Sequence, residues 1–217
     1  MPMETLQELL VHELQDLYNA ENQIIKALPR MAKRTTSTEL REAFEEHLSQ
    51  TEMQAQRLER ALALLDAPVR GKTCDGMQGI LEEGRKLMEE DSSDDVLNAG
   101  LIAAAQKVEH YEIASYGSVK AWAELLGQDE ITALLEETLE EEEATDRKLS
   151  ELAESMINAE AAMGTSDADA DEDEEKGSED EEDAEATSAS TSRRGSSQSS
   201  RSRKPNTPAR QSKSRRR

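Results

Sequence analysis

Apolar residues recur at helical spacing through the first 163 residues, and they predict four long helices and one short one. Residues 4–33 carry Leu and Ile three or four positions apart, which predicts a first helix that Pro29 interrupts near its end. Thr35, Thr36 and Ser37 offer capping side chains for a second helix that runs to about Leu65. Because the connection between these helices is short, they are expected to lie antiparallel.

The second half of the chain repeats this plan after a long connection. Residues 66–72 contain helix-breaking Pro and Gly, and residues 76–90 predict a shorter helix. Ser92 and Ser93 can begin a long helix that Gly127 ends, and residues 129–158 predict the last helix. Two hairpins joined by a long crossover predict an all-α, ferritin-like four-helix bundle.

Shifting the first half of the sequence by 91 residues aligns it with the second half. Glu21 then falls on Glu112, Glu52 on Glu143, and Leu10 on Leu101. The alignment indicates a duplicated helical hairpin with acidic side chains at equivalent, inward-leaning positions. Buried carboxylates are costly unless they are paired, so the pattern favours a bound cation.

The composition changes sharply near residue 164. Residues 167–185 contain 13 acidic residues and one Lys, and residues 193–217 contain ten basic residues and no acidic one. Neither block has aromatic or large aliphatic side chains, so residues 164–217 are predicted to form a disordered tail. The basic block could neutralise nucleic-acid phosphates, or it could collapse on the acidic parts of the chain; the second reading is favoured.

The body, residues 1–163, is the predicted folded domain and is itself strongly acidic. It has 35 acidic and 15 basic residues, a net charge of −20, out of −22 for the whole chain of 217 residues. The single cysteine, Cys74, cannot form an internal disulfide, and the sequence shows neither a secretory signal nor an apolar stretch long enough for a membrane span. We therefore expect a cytoplasmic protein.

The stretch from Ala103 to Gly117, AAAQKVEHYEIASYG, closely resembles the YciE/YciF family of bacterial stress-associated, ferritin-like proteins. Residues 17–23, 46–59, 72–77 and 138–149 support the match, which covers about residues 1–160. The resemblance implies a ferritin-like bundle, a homodimer and a di-iron site.

Such di-iron sites use one Glu from each of two helices and a Glu-x-x-His from each of the other two. Glu21 and Glu112 match the single glutamates, and Glu109 could add a ligand one turn before Glu112. No Glu-x-x-His is complete, although His47 could substitute from one turn away. The candidate ligands are Glu21, Glu52, Glu109, Glu112, Glu142, Glu143 and Asp146.

An oxygen-rich ligand set of this kind suits iron and also manganese. The leading hypothesis is a di-metal carboxylate protein that acts in stress protection, through metal binding or low-level oxidase or peroxidase chemistry. The alternative is a non-catalytic helical dimer that acts by protein interaction, with metal-free carboxylates and nucleic-acid association through the basic tail. The sequence leaves open whether the protein is an enzyme.

Overall fold

The computed structural model describes residues 3–69 and 73–164, and within these ranges the secondary structure is entirely helical. None of the described helices is long and apolar enough to cross a membrane. The predicted acidic and basic blocks of the tail lie outside the described residues. The helical elements are α1 (Leu6–Arg34), α2 (Thr38–Leu64), α3 (Asp75–Leu87), α4 (Asp94–Leu125), α5 (Asp129–Leu152), a π-helical segment (Ala153–Ile157) and α6 (Asn158–Met163).

The helix ends follow the capping signals of the sequence. The Ser37 hydroxyl accepts a hydrogen bond from the Leu40 amide, and Ser93 caps α4 in the same way. Gly127, at φ +67°, adopts the left-handed conformation that ends α4 and allows the turn into α5. Pro29 lies inside α1 near its end, and the helix continues past it to Arg34, close to the predicted end at residue 33.

The helices form a four-helix bundle with a ferritin-like order, as predicted. α1 is antiparallel to α2, and it is also antiparallel to α4, because Thr35 contacts Asn98 while Glu21 contacts Tyr116. α2 and α4 must therefore run parallel, so the connection between them has to cross the length of the bundle. α3 lies within that crossover and packs on α1 and α4.

The interior consists of two apolar regions with a polar layer between them. One region includes Ile24, Leu40 and Leu101, and the other includes Leu14, Leu62 and Ile131. The polar layer contains buried Glu, His, Thr and Gln side chains from all four bundle helices. Because the apolar regions enclose this layer, bulk water is kept away from it.

A charged contact fixes α2 against α5 beside the polar layer. The Arg57 guanidinium donates two hydrogen bonds of 2.7 Å, one to each carboxylate oxygen of Glu141. Gln54, one turn before Arg57, donates to the same carboxylate at 3.0 Å. This fork-to-fork geometry limits sliding between the two helices.

The crossover is attached to the bundle at the start of α3. The Cys74 amide donates to Asn19 Oδ1 at 2.8 Å, and Gln23 donates to the Cys74 carbonyl at 3.1 Å. The Tyr111 hydroxyl lies 3.0 Å from Cys74 Sγ. These contacts hold α3 across α1 and α4.

Candidate metal centre

Five ionisable side chains meet in the polar layer at the centre of the bundle. They are Glu21 from α1, His47 from α2, Glu109 and Glu112 from α4, and Glu142 from α5, and each is at most 3% exposed. Ligand atoms of His47, Glu109, Glu112 and Glu142 all lie within 4.8 Å of one another. We call the five residues the carboxylate–histidine cluster.

His47 and Tyr116 both contact carboxylates of this cluster. His47 Nε2 lies 3.3 Å from Glu109 Oε1 and 4.0 Å from Glu142 Oε2. The Tyr116 hydroxyl donates a hydrogen bond to Glu21 Oε1, which holds that carboxylate in one orientation. Tyr116 itself is completely buried.

Most carboxylate oxygens of the cluster lack a hydrogen-bond partner among the described residues. They are Oε2 of Glu21, Oε2 of Glu109, and both oxygens of Glu112 and of Glu142. Buried polar atoms without partners are rare because each one costs about 1–3 kcal/mol, and more when charged. Four carboxylates and one imidazole form the mixed oxygen and nitrogen donor set that iron and manganese accept. The residues present therefore fit a bound transition-metal ion.

The electrostatics of the cluster favour bound protons when no cation is present. Burial raises the pKa of Glu21 to about 7. Burial and the neighbouring negative charges raise the pKa of Glu112 and of Glu142 well above the usual value. Burial alone would lower the pKa of His47, but the nearby Glu109 and Glu21 carboxylates outweigh it and raise that pKa. A cation entering this site would therefore displace protons.

Four of the seven residues proposed from sequence lie in the cluster, and three do not. Glu21, Glu109, Glu112 and Glu142 are brought together. Glu52 and Glu143 are exposed, and Glu143 lies 3.7 Å from Arg147 Nη1 instead. Asp146 is half-buried; it accepts a hydrogen bond from Gln106 at 3.1 Å and lies 3.2 Å from His110 Nε2.

Glu52 and Glu143 lie outside the cluster because they are one residue beyond the inward position of their helices. One residue turns a helix by about 100°, which is enough to move a side chain from the interior to the surface. The inward positions are Thr51 and Gln54 on α2, which are 0% exposed, and Glu142 on α5. Under the 91-residue repeat, Thr51 aligns with Glu142 and Gln54 with Thr145.

Two residues of this layer, His47 and Tyr116, are not among the seven ligands predicted from the sequence. His47 was considered only as a substitute ligand, although it lies four residues before Thr51 and so on the same helical face. Tyr116 stands four residues after Glu112, which places its side chain over the same stripe of α4. The four-residue spacing was the available signal in both cases.

The fold and the polar layer define a ferritin-like helical bundle with a buried carboxylate–histidine cluster. The family model described as a domain of unknown function, DUF892, matches residues 5–162. YciF of Escherichia coli K12 is 42% identical over 162 residues, which is 74% of this chain and 98% of that protein. The chain belongs to the DUF892 family, which includes YciF, and the resemblance seen in the sequence is confirmed.

Solved structures agree with this assignment. The crystal structure of the E. coli stress protein YciF matches with a TM-score of 0.70 at 42% identity, covering 72% of this chain and 99% of that one. YcfI from Rhodopseudomonas palustris, described as a candidate structural protein, matches with a TM-score of 0.66 at 41% identity, covering 68% and 94%. A Xanthomonas campestris protein shares the fold at 24% identity and a TM-score of 0.59, covering 74% and 99%.

Proposed function

We propose that this protein binds iron or manganese at the carboxylate–histidine cluster and acts in stress protection, with low-level oxidase or peroxidase chemistry. The observation that carries the proposal is the set of buried carboxylate oxygens that have no hydrogen-bond partner among the described residues, contributed by three helices. The similarity to a protein described as a stress protein supports the physiological part.

The ligand set is close to that of a di-iron carboxylate site. Such sites use four glutamates and two histidines. The cluster offers four glutamates and one histidine, and Thr145 lies at the position where α5 would carry the second histidine. Thr145 Oγ1 instead lies 3.4 Å from His47 Nδ1, where it can orient the imidazole.

Each residue of the cluster has a distinct part in holding the cation. A bound iron or manganese pair would supply electron-transfer capacity towards dioxygen or peroxide. Glu109, Glu112 and Glu142 offer negatively charged oxygens, and His47 offers its Nε2 nitrogen. Glu21 is fixed by the Tyr116 hydroxyl and presents its free Oε2. The apolar regions on both sides exclude water and so strengthen every charged interaction within the layer.

The test compares two neighbouring glutamates of α5. The protein should be purified without chelators and analysed for bound metal, and its thermal unfolding should be followed with added Fe²⁺ or Mn²⁺. Glu142→Gln is expected to lower the bound metal and to remove most of the metal-induced rise in Tm. Glu143→Gln, which makes the same change in net charge on the surface, is expected to retain both. If neither metal raises the Tm of the unmodified protein, the proposal fails.

A structural role is the second candidate, because one similar protein is described as a candidate structural protein. In this role the chain would act as a helical homodimer, and the carboxylates of the cluster would stay protonated and metal-free. Light scattering would give the oligomeric state. A dimer that binds no metal after incubation with Fe²⁺ and Mn²⁺ would favour this function over the first.

A further inference from the structure

A surface groove of about 340 Å³ lies between α1, α3 and α4, on the side where the crossover packs. This volume is within the range of small-molecule sites. Small residues create the space: a Cβ added at Gly84 would meet only Ala104 Cβ, at 3.5 Å. Its apolar lining includes Met31, Ile80, Leu81, Met88, Ala104 and Val108.

The rim of the groove is positively charged although the body is strongly negative. The charged lining residues are Lys26, Arg30, Arg85 and Glu82. Arg85 and Glu82 form an ion pair of 2.7 Å, so they largely neutralise each other. Lys26 and Arg30 lie one turn apart on α1 and are exposed, and neither forms an ion pair with a described residue. Two free cations therefore stand beside an apolar groove.

We propose that this groove binds an amphipathic anion with a single aliphatic chain, such as a medium-chain carboxylate. The chain would lie against the apolar lining, and the anionic head would lie between Lys26 and Arg30. Exposed ion pairs contribute little to affinity because water screens them, so most of the affinity would come from burial of the aliphatic chain. The two cations would select the charge of the head group.

The groove lies next to the carboxylate–histidine cluster. A chamber of about 10 Å³ behind it shares four lining residues with the groove: Ala27, Met31, Leu81 and Val108. The other lining residues of this chamber include His47 and Glu109. A chain bound in the groove would thus pack on the residues that separate the cluster from solvent on this side.

Calorimetric titration of the full-length, metal-free protein tests the proposal without involving the metal site. Dodecanoate is the ligand. Acetate supplies the anionic head group alone, and dodecyl maltoside supplies the same aliphatic chain with a neutral head group. Dodecanoate and dodecyl maltoside are kept below their critical micelle concentrations. We expect saturable binding of dodecanoate, at least tenfold tighter than dodecyl maltoside, and no binding of acetate. Absence of saturable dodecanoate binding would overturn the proposal, as would equal binding of acetate.

Two variants and one control locate the site. Ala104→Leu fills the groove and should weaken dodecanoate binding at least tenfold. The double variant Lys26→Gln, Arg30→Gln is on the surface, so the fold should be kept, and it should remove the preference for dodecanoate over dodecyl maltoside. Ala114→Leu, at an exposed position of α4 outside the groove lining, should bind as the unmodified protein does.

Light scattering of the same variants tests the rival occupant, a second copy of this chain. Groove variants that change the oligomeric state while leaving dodecanoate affinity unchanged would show that the surface is an interface between copies. That result would refute the ligand proposal. An unchanged oligomeric state together with weakened dodecanoate binding would support it.

Discussion

Replacing Glu21 by Gln should stabilise the metal-free protein at high pH while removing its response to metal. The carboxyl group of Glu21 is fully buried, and burial raises its pKa from 4.5 to about 7. Glutamine has almost the same shape and keeps an oxygen that can accept the Tyr116 hydrogen bond. The substitution therefore removes the charge while preserving the packing.

The size and the sign of the effect follow from the pKa. Because the folded-state pKa is raised, the folded protein binds the proton more tightly than the unfolded chain. Ionisation therefore costs stability, and this cost is absent below about pH 4.5 and complete above about pH 7. Raising this pKa from 4.5 to about 7 corresponds to about 3 kcal/mol. Glu112 and Glu142 lie close to Glu21 and also hold protons more tightly than usual, so the cost of negative charge is spread over the three groups. The value is therefore an upper bound for Glu21 alone.

Thermal unfolding in the presence of a chelator at pH 5 and pH 8 measures the difference. At pH 8, Glu21→Gln should raise the Tm by up to about 6–12 °C, taking about 2–4 °C per kcal/mol for a chain of this size. At pH 5, which lies just above the ordinary pKa of 4.5, the rise should be only about a quarter of that. With Fe²⁺ or Mn²⁺ at pH 8, the Tm of the unmodified protein should rise and that of the variant should not.

The exposed Glu143 provides the matched control for net charge. Glu143→Gln removes one negative charge from the same acidic body, so it reports the general relief of repulsion. The reasoning is refuted if Glu21→Gln and Glu143→Gln raise the Tm equally at pH 8. It is also refuted if Glu21→Gln changes the Tm by the same amount at both pH values, because a shape effect would not depend on pH.

Three further predictions concern other parts of the chain. Asn98→Ala should lower the free energy of unfolding by about 2 kcal/mol in chemical denaturation. The buried Asn98 side chain accepts a hydrogen bond from Thr35 Oγ1 at 2.7 Å and donates one to Thr36 Oγ1 at 3.0 Å, and alanine can do neither. As a control, Asn158→Ala at an exposed position should change the free energy of unfolding little. Deleting residues 165–217 should leave the Tm and the helical circular dichroism per body residue nearly unchanged, and a large loss would show that this segment supports the bundle. Deleting residues 167–185 alone should strengthen DNA binding at low salt, because 13 acidic residues no longer compete with phosphates; tight DNA binding by the full-length protein at 0.15 M salt would contradict this.

The sequence was sufficient to predict the helices and their order because the signals are local and agree with one another. The helix ends depend on local chemistry: Ser37 and Ser93 cap the N-termini of α2 and α4, and Gly127 allows the turn that ends α4. The crossover followed from the length of residues 66–93, which is far more than a hairpin needs. Pro29 removes one hydrogen bond near the end of α1, and the packing of Leu28 and Met31 stabilises the helix on both sides of it.

The site was harder to predict, because the choice between neighbouring glutamates is decided by tertiary packing. Glu140 to Glu143 offers a carboxylate at four successive positions, so composition alone cannot say which one points inwards. The neighbouring helices decide it: Glu141 is taken by Arg57, and Glu142 then faces the interior. On α2 the inward positions are taken by Thr51 and Gln54, which a search for carboxylates passes over.

The repeat has kept its backbone plan but has diverged at the cluster, and under the proposed function this divergence would link cation binding to the docking of the two hairpins. The second hairpin contributes Glu109, Glu112 and Glu142, whereas the first contributes one glutamate and the imidazole of His47. The second hairpin alone would bring three carboxylates together without a counter-charge. Glu21 and His47 complete the ligand set only when α1 and α2 pack against α4 and α5. A cation bound to ligands from both hairpins therefore stabilises the closed bundle over the separated hairpins, and metal-dependent thermal stability is the expected result.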